Sequence, residues 1–124
     1  MKKTIFLILA AILIATLLFA GKSFSGGSII EIKDVTKEQI ITLAELEKPK
    51  GVHSIRIEIT GHIDGSATIQ RAYEDKKMYG PEIISGNVNL HLGGDWYGDK
   101  CLIIYKPSGV TAGSLKIRYK FGTI

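Results

Sequence analysis

The sequence predicts an all-β protein: a small antiparallel β-sandwich of about seven or eight strands, following an N-terminal signal segment. Three observations carry this prediction. Apolar and polar residues alternate with period two in several short runs, as where Ile55, Ile57 and Ile59 sit between Ser54, Arg56, Glu58 and Thr60. Turn-forming stretches rich in glycine, such as Gly93-Gly94-Asp95-Trp96-Tyr97-Gly98-Asp99, separate the runs, and nothing between them sustains helical spacing. The first 20 residues are different in kind. Lys2 and Lys3 precede a run from Ile5 to Ala20 that is apolar apart from Thr16, which is the layout of a secretory signal.

Residues 1–23 are therefore expected to be a signal peptide, 24–27 a flexible linker and 28–124 the β-sandwich. Small residues at Gly21 and Ser23, and again at Ser23 and Ser25, suit a signal peptidase. The protein is expected to be secreted or periplasmic. The alternative is an uncleaved segment, residues 4–20, anchoring it to a membrane, because the apolar run is slightly long for a signal, although slightly short of the roughly 20 residues a comfortable span needs. No cysteine lies near this boundary, so lipid attachment to a cysteine there is excluded. Eight barrel strands of about ten residues plus turns would leave almost nothing for loops, which argues against an outer-membrane barrel.

The net charge of +4 says little about partners. Lys2, Lys3 and Lys22 carry three of those charges, leaving +1 beyond residue 23. The basic balance belongs to the targeting segment and gives no argument for nucleic acid. Cys101 is the only cysteine, so no internal disulfide can form and the core must stabilise the domain alone. Its place at the start of Cys101-Leu102-Ile103-Ile104-Tyr105 suggests a buried, inert thiol, the alternative being a bridge to a second chain.

In chain order, Ser28–Lys33 reads as a first strand with Ile30 and Ile32 on one face. Residues 36–47 are ambiguous. Thr36-Lys37-Glu38-Gln39 matches a helix capping box, yet Ile41 and Leu43 suit a strand that runs into a Pro49-Lys50-Gly51 turn. A strand is preferred, paired with the next one, Ser54–Thr60. Gly61-His62-Ile63-Asp64-Gly65 marks a bulge, or a corner where a strand changes sheets. Ala67–Tyr73 continues as a strand into a charged turn, Glu74–Lys77. Met78–Ser85, interrupted by Gly80-Pro81, should be a short or edge strand. Three final strands, around Val88–Leu92, Cys101–Tyr105 and Leu115–Phe121, are expected to form an antiparallel sheet.

No catalytic signature is present: there is no nucleophile elbow, His-Glu-x-x-His, Cys-x-x-Cys or phosphate loop. His62 and Asp64 flank Ile63 and would share a side of an extended strand, the one arrangement that could orient a general base or a metal ligand. The stronger candidate is the loop Gly93–Lys100, with Asp95, Trp96, Tyr97 and Asp99. Aromatic faces stack on the C–H surfaces of sugars, carboxylates accept hydrogen bonds from hydroxyls, and aromatics are enriched at interface centres. The competing reading has Trp96 folded back to cap the core, and a third has Asp95 and Asp99 holding calcium. Lys116, Arg118 and Lys120 form a basic stripe, read as an edge protector before a contact with an anionic lipid headgroup or an acidic polysaccharide.

The sequence thus predicts an exported, non-enzymatic binding module without cofactor or metal. It would contact a glycan or a cell-surface protein through the Trp96 loop. The alternatives are a membrane-anchored envelope protein acting through protein contacts, and an enzyme built on His62 and Asp64.

Overall fold

A computed structural model of the chain describes residues 26–45, 47–75 and 77–123. The expected signal segment, 1–23, and the first two linker residues lie outside the described residues. Six antiparallel strands follow: β1 (Ser28–Glu31), β2 (Gln39–Ala44), β3 (Val52–Ala72), β4 (Met78–Asp95), β5 (Lys100–Ser108) and β6 (Gly113–Thr123). They form a curled, open half-barrel sheet. The count is six rather than seven or eight because β3 and β4 each unite two of the expected strands.

The hairpin of β3 and β4 organises the fold. β3 is 21 residues long, and β4 pairs with it along nearly its whole length. The opposite edge of β3 is divided. Residues 52–63 pair with β6, which carries β1 outside it, and residues 66–72 pair with β5, which carries β2. The final three expected strands lie in the antiparallel sheet, but each of β4, β5 and β6 pairs with β3 and not with the others. Nor does β2 pair with β3 across the Pro49-Lys50-Gly51 turn. Both edges of β3 are already occupied, so β2 finds its partner in β5.

The hand-over occurs at the expected corner. Between Ile63 and Ser66 the β3–β4 register shifts, with Asp64 and Gly65 inserted in β3. Two extra residues, an even number, leave the side-chain parity unchanged. Ile55, Ile57, Ile59, Ile63, Ala67 and Ile69 consequently all face the core. Each buried isoleucine of this kind contributes about 1.5–3 kcal/mol of hydrophobic stabilisation. The backbones of β3 and β6 meet so closely here that a Cβ on Gly61 would run into the Ser114 carbonyl, and one on Gly113 into that of His62. Both glycines also take positive φ, 142° and 140°, which L side chains rarely adopt.

Leu43, Cys101, Ile103, Tyr105, Leu115 and Ile117 complete the core with Ile32 and Val35 from the β1–β2 connection. Two tyrosine hydroxyls lock that connection and its sequel. Tyr105 donates to the Val35 carbonyl at 2.6 Å and Tyr119 to that of Ala44 at 2.7 Å. The strand preferred for the ambiguous segment is present as β2, and the residues that mimic a capping box have other work. Asp34, at φ 53°, accepts from the Thr36 N–H and hydroxyl, closing a turn. Gln39 donates back to the Lys33 carbonyl at 2.6 Å.

The outer faces of the two halves differ. Around β6 the face is polar, with Lys116, Arg118 and Lys120 in register with Thr60, Glu58 and Arg56. Around β5 it is mixed and carries exposed apolar side chains: Ile40 pairs with Ile104, while Ile83, beside Thr68, is 77 % exposed.

Candidate functional site

The residues that gather at the far end of the hairpin come from three segments. β3 ends at Ala72, and Tyr73 begins the turn into β4, where its N–H donates to the Lys77 carbonyl at 3.0 Å. Tyr79 follows early in β4, and Trp96 stands just beyond the other end of the same strand. The β3–β4 register alone would keep Trp96 from the others, since it sets Tyr79 opposite Arg71 but Asp95 opposite Ser54. The curl of the sheet and the pairing of Ala72 with Leu102 on β5 return Trp96 to Tyr73. Trp96 lies flat on Tyr73, with centroids 3.9 Å apart and planes 11° from parallel. Tyr79 meets both rings edge-on, at 6.0 Å from Tyr73 and 5.9 Å from Trp96.

Trp96 is only 1 % exposed. Its indole N–H donates to the Lys100 carbonyl at 2.9 Å, and its backbone N–H to that of His53 at 3.1 Å. These bonds close the β4–β5 loop on the core and satisfy the polar atoms that burial would otherwise strand. Tyr97 behaves in the opposite way. Its backbone N–H donates to the Tyr73 hydroxyl at 3.1 Å, while its ring is 70 % exposed. The loop thus buries one aromatic to present the next.

Tyr73, Tyr79, Trp96 and Tyr97 line an open cleft of ≈ 610 Å³. Its polar lining is mixed, with Arg71 and Lys77 against Asp75 and Asp95. Arg71 donates to the Gly93 carbonyl at 3.5 Å, a long bond, and the Lys77 ammonium sits 6.0 Å from the Tyr79 ring centroid. A second hollow of ≈ 540 Å³, bordered by Glu45, Glu47 and Pro49, has Phe121 as its only aromatic wall among the described residues.

Of the four residues singled out in the sequence, Asp95, Trp96 and Tyr97 line the cleft. Trp96 does so from beneath, as the buried support of the floor and not as an exposed stacking face. Asp99 is turned elsewhere, in an ion pair with Lys48 at 3.4 Å. Asp95 and Asp99 therefore do not share the calcium arrangement considered above, and among the described residues no three His, Cys, Asp or Glu side chains converge on one point. Arg71, Tyr73, Lys77 and Tyr79 escaped sequence reading because they lie about 20 residues away from the loop. The available signal was the pair of tyrosines flanking a charged turn.

The other candidates resolve differently. His62 and Asp64 do not form a pair. His62 Nδ1 is 2.9 Å from the Asn87 side-chain oxygen on β4. Asp64, in the corner insertion, accepts from the N–H groups of Thr111 and Ala112 at 2.8 and 3.1 Å and from the Thr111 hydroxyl. Those bonds hold its carboxyl down to about 2. The β6 stripe is interrupted by acid. Glu58, beside Arg118 in register, is 3 % exposed and 4.0 Å from His91, while Glu31 faces Lys116. Cys101 is buried, and desolvation pushes its thiol up to about 12.

No protein-family model matches the chain, and no curated protein matches it in sequence.

Proposed function

We propose that this protein is an exported, non-catalytic binding module that takes a glycan in the cleft between Tyr79 and Tyr97. The observation that carries the reading is the stacked Tyr73–Trp96 pair. A fully hydrogen-bonded aromatic platform supports two partly or largely exposed tyrosines, with the Asp95 carboxylate beside them. Such rings offer flat apolar faces to sugar C–H groups at small entropic cost, since each has only two side-chain torsions. Asp95 supplies an acceptor for hydroxyls. The two halves that share β3 and β4 correspond, in this reading, to the two sheets of a β-sandwich folded from one bent hairpin.

Export rests on the Lys2-Lys3 start and the apolar run to Ala20. N-terminal sequencing of the purified protein decides between cleavage near residue 23 and retention of an anchor.

The binding claim is tested by titrating the protein with a panel of oligosaccharides and comparing Tyr79→Ala and Tyr97→Ala with the parent. Loss of binding in both variants, with unchanged folding, is the predicted result. Binding that survives both substitutions removes the cleft from the account.

A further inference from the structure

We infer that the glycan taken by this cleft is acidic, a sugar bearing a carboxylate of the uronic-acid class, and that Arg71 is the group that receives the carboxylate. The inference rests on the glycan reading above and narrows it.

Arg71 occupies an unusual place. Its β3 neighbours of the same parity, Ala67 and Ile69, face the core, and its register partners are Ile103 on β5 and Tyr79 on β4. A guanidinium thus ends an otherwise apolar row, at the point where that row opens into the cleft. Removing such a group from bulk water is unfavourable unless its donors are satisfied. Among the described residues the Arg71 side chain forms no ion pair, and its only hydrogen bond is the 3.5 Å one to the Gly93 carbonyl. Asp75 and Asp95 line the same cleft, yet neither pairs with it. Most of its five donors are therefore available to a ligand, in the planar fork that fits a carboxylate with two parallel bonds. Lys77 adds a second cation at the Tyr79 side and likewise has no ion pair among the described residues.

The anions of the cleft select among acidic ligands. Asp75 and Asp95 would repel a densely charged chain such as a sulfated polysaccharide or a nucleic acid backbone. A ring with one carboxylate and several hydroxyls matches both signs of charge, placing the carboxylate at Arg71 and the hydroxyls toward Asp95. A peptide strand is a poorer fit. The free edge of β4 beside Tyr79 runs into Gly80-Pro81, and Pro81 has no N–H with which to extend a ladder.

Calorimetric titration of the full chain with tri-galacturonate and glucuronate oligomers, each beside its neutral counterpart, and with a sulfated trisaccharide tests this directly. At least one acidic sugar should bind about tenfold more tightly than its neutral partner. Arg71→Gln should abolish that preference, so that each acidic sugar binds no more tightly than its neutral partner, while Arg71→Lys, keeping the charge without the fork, should restore part of it. Equal affinity for acidic and neutral forms, unaffected by Arg71→Gln, overturns the inference and leaves the glycan reading standing. Tighter binding of a sulfated trisaccharide than of any uronate overturns it too. No binding of any sugar, acidic or neutral, removes both.

Discussion

Tyr73 and Trp96, 23 positions apart, stack at 3.9 Å with their rings 11° from parallel, and this contact joins the core to the cleft. Trp96 is held from both sides, by the Lys100 carbonyl at its indole and the His53 carbonyl at its backbone. Replacing it with Ala removes a large buried side chain and should cost about 3–5 kcal/mol of stability. Tyr97→Ala, at an exposed ring, should stay within about 0.5 kcal/mol. Urea unfolding of the two variants gives the comparison. Equal losses would mean that the loop does not divide its aromatics between support and presentation.

The corner carries a pH signature. Asp64 has its carboxyl lowered to about 2 by the Thr111 side chain first and then by the Thr111 and Ala112 N–H groups. A lowered native value means that the ionised form favours folding. The contribution is complete above the ordinary carboxylate value of 3.8 and disappears as the pH falls through about 2. Asp64→Ala should therefore be less stable than the parent at pH 6, and the gap should narrow steadily between pH 4 and pH 2. A gap that stays constant with pH would show that the Asp64 bonds do not depend on its charge.

At Gly61, both the positive φ and the approach of the Ser114 carbonyl oppose any side chain. Gly61→Ala should lose about 2 kcal/mol or more, measured as a shift of the unfolding midpoint. Gly86→Ala also forces a side chain onto a positive φ but meets no atom within 4 Å, so it should lose less. The reverse ranking would place the tight contact elsewhere.

Cys101 should be silent in the folded protein. It is buried, and its thiol is raised to about 12, so at pH 8 almost no thiolate is present to react. Labelling by a thiol reagent at pH 8 should follow the unfolding curve in urea. Rapid labelling of the native protein would contradict its placement in the core.

The sequence was legible wherever one physical constraint acted locally. Ile55, Ile57 and Ile59 announced a strand buried on one face, and Gly61 to Gly65 announced the corner, because periodicity and positive φ are properties of a few consecutive residues. Pairing was less legible. The Pro49-Lys50-Gly51 turn suggested a hairpin of β2 with β3, but which edge a strand joins depends on which edges β4, β5 and β6 have already taken. The site was half legible for the same reason. Asp95, Trp96 and Tyr97 were visible as one loop, while Arg71, Tyr73 and Tyr79 join it only through the curl of the sheet and the β3–β5 pairing. Whether Trp96 faced solvent or core turned on the Lys100 and His53 carbonyls, which no sequence pattern marks.

The central claim, that the Tyr79–Tyr97 cleft is the binding site, is tested most directly by mapping amide and indole NMR shifts of the protein during titration with the oligosaccharide panel. The account predicts shifts confined to Arg71, Tyr73, Tyr79, the Trp96 indole N–H and Tyr97, saturating together. Shifts that cluster instead on the outer face around Ile40, Ile83 and Ile104, or that never arise with any sugar, would contradict it.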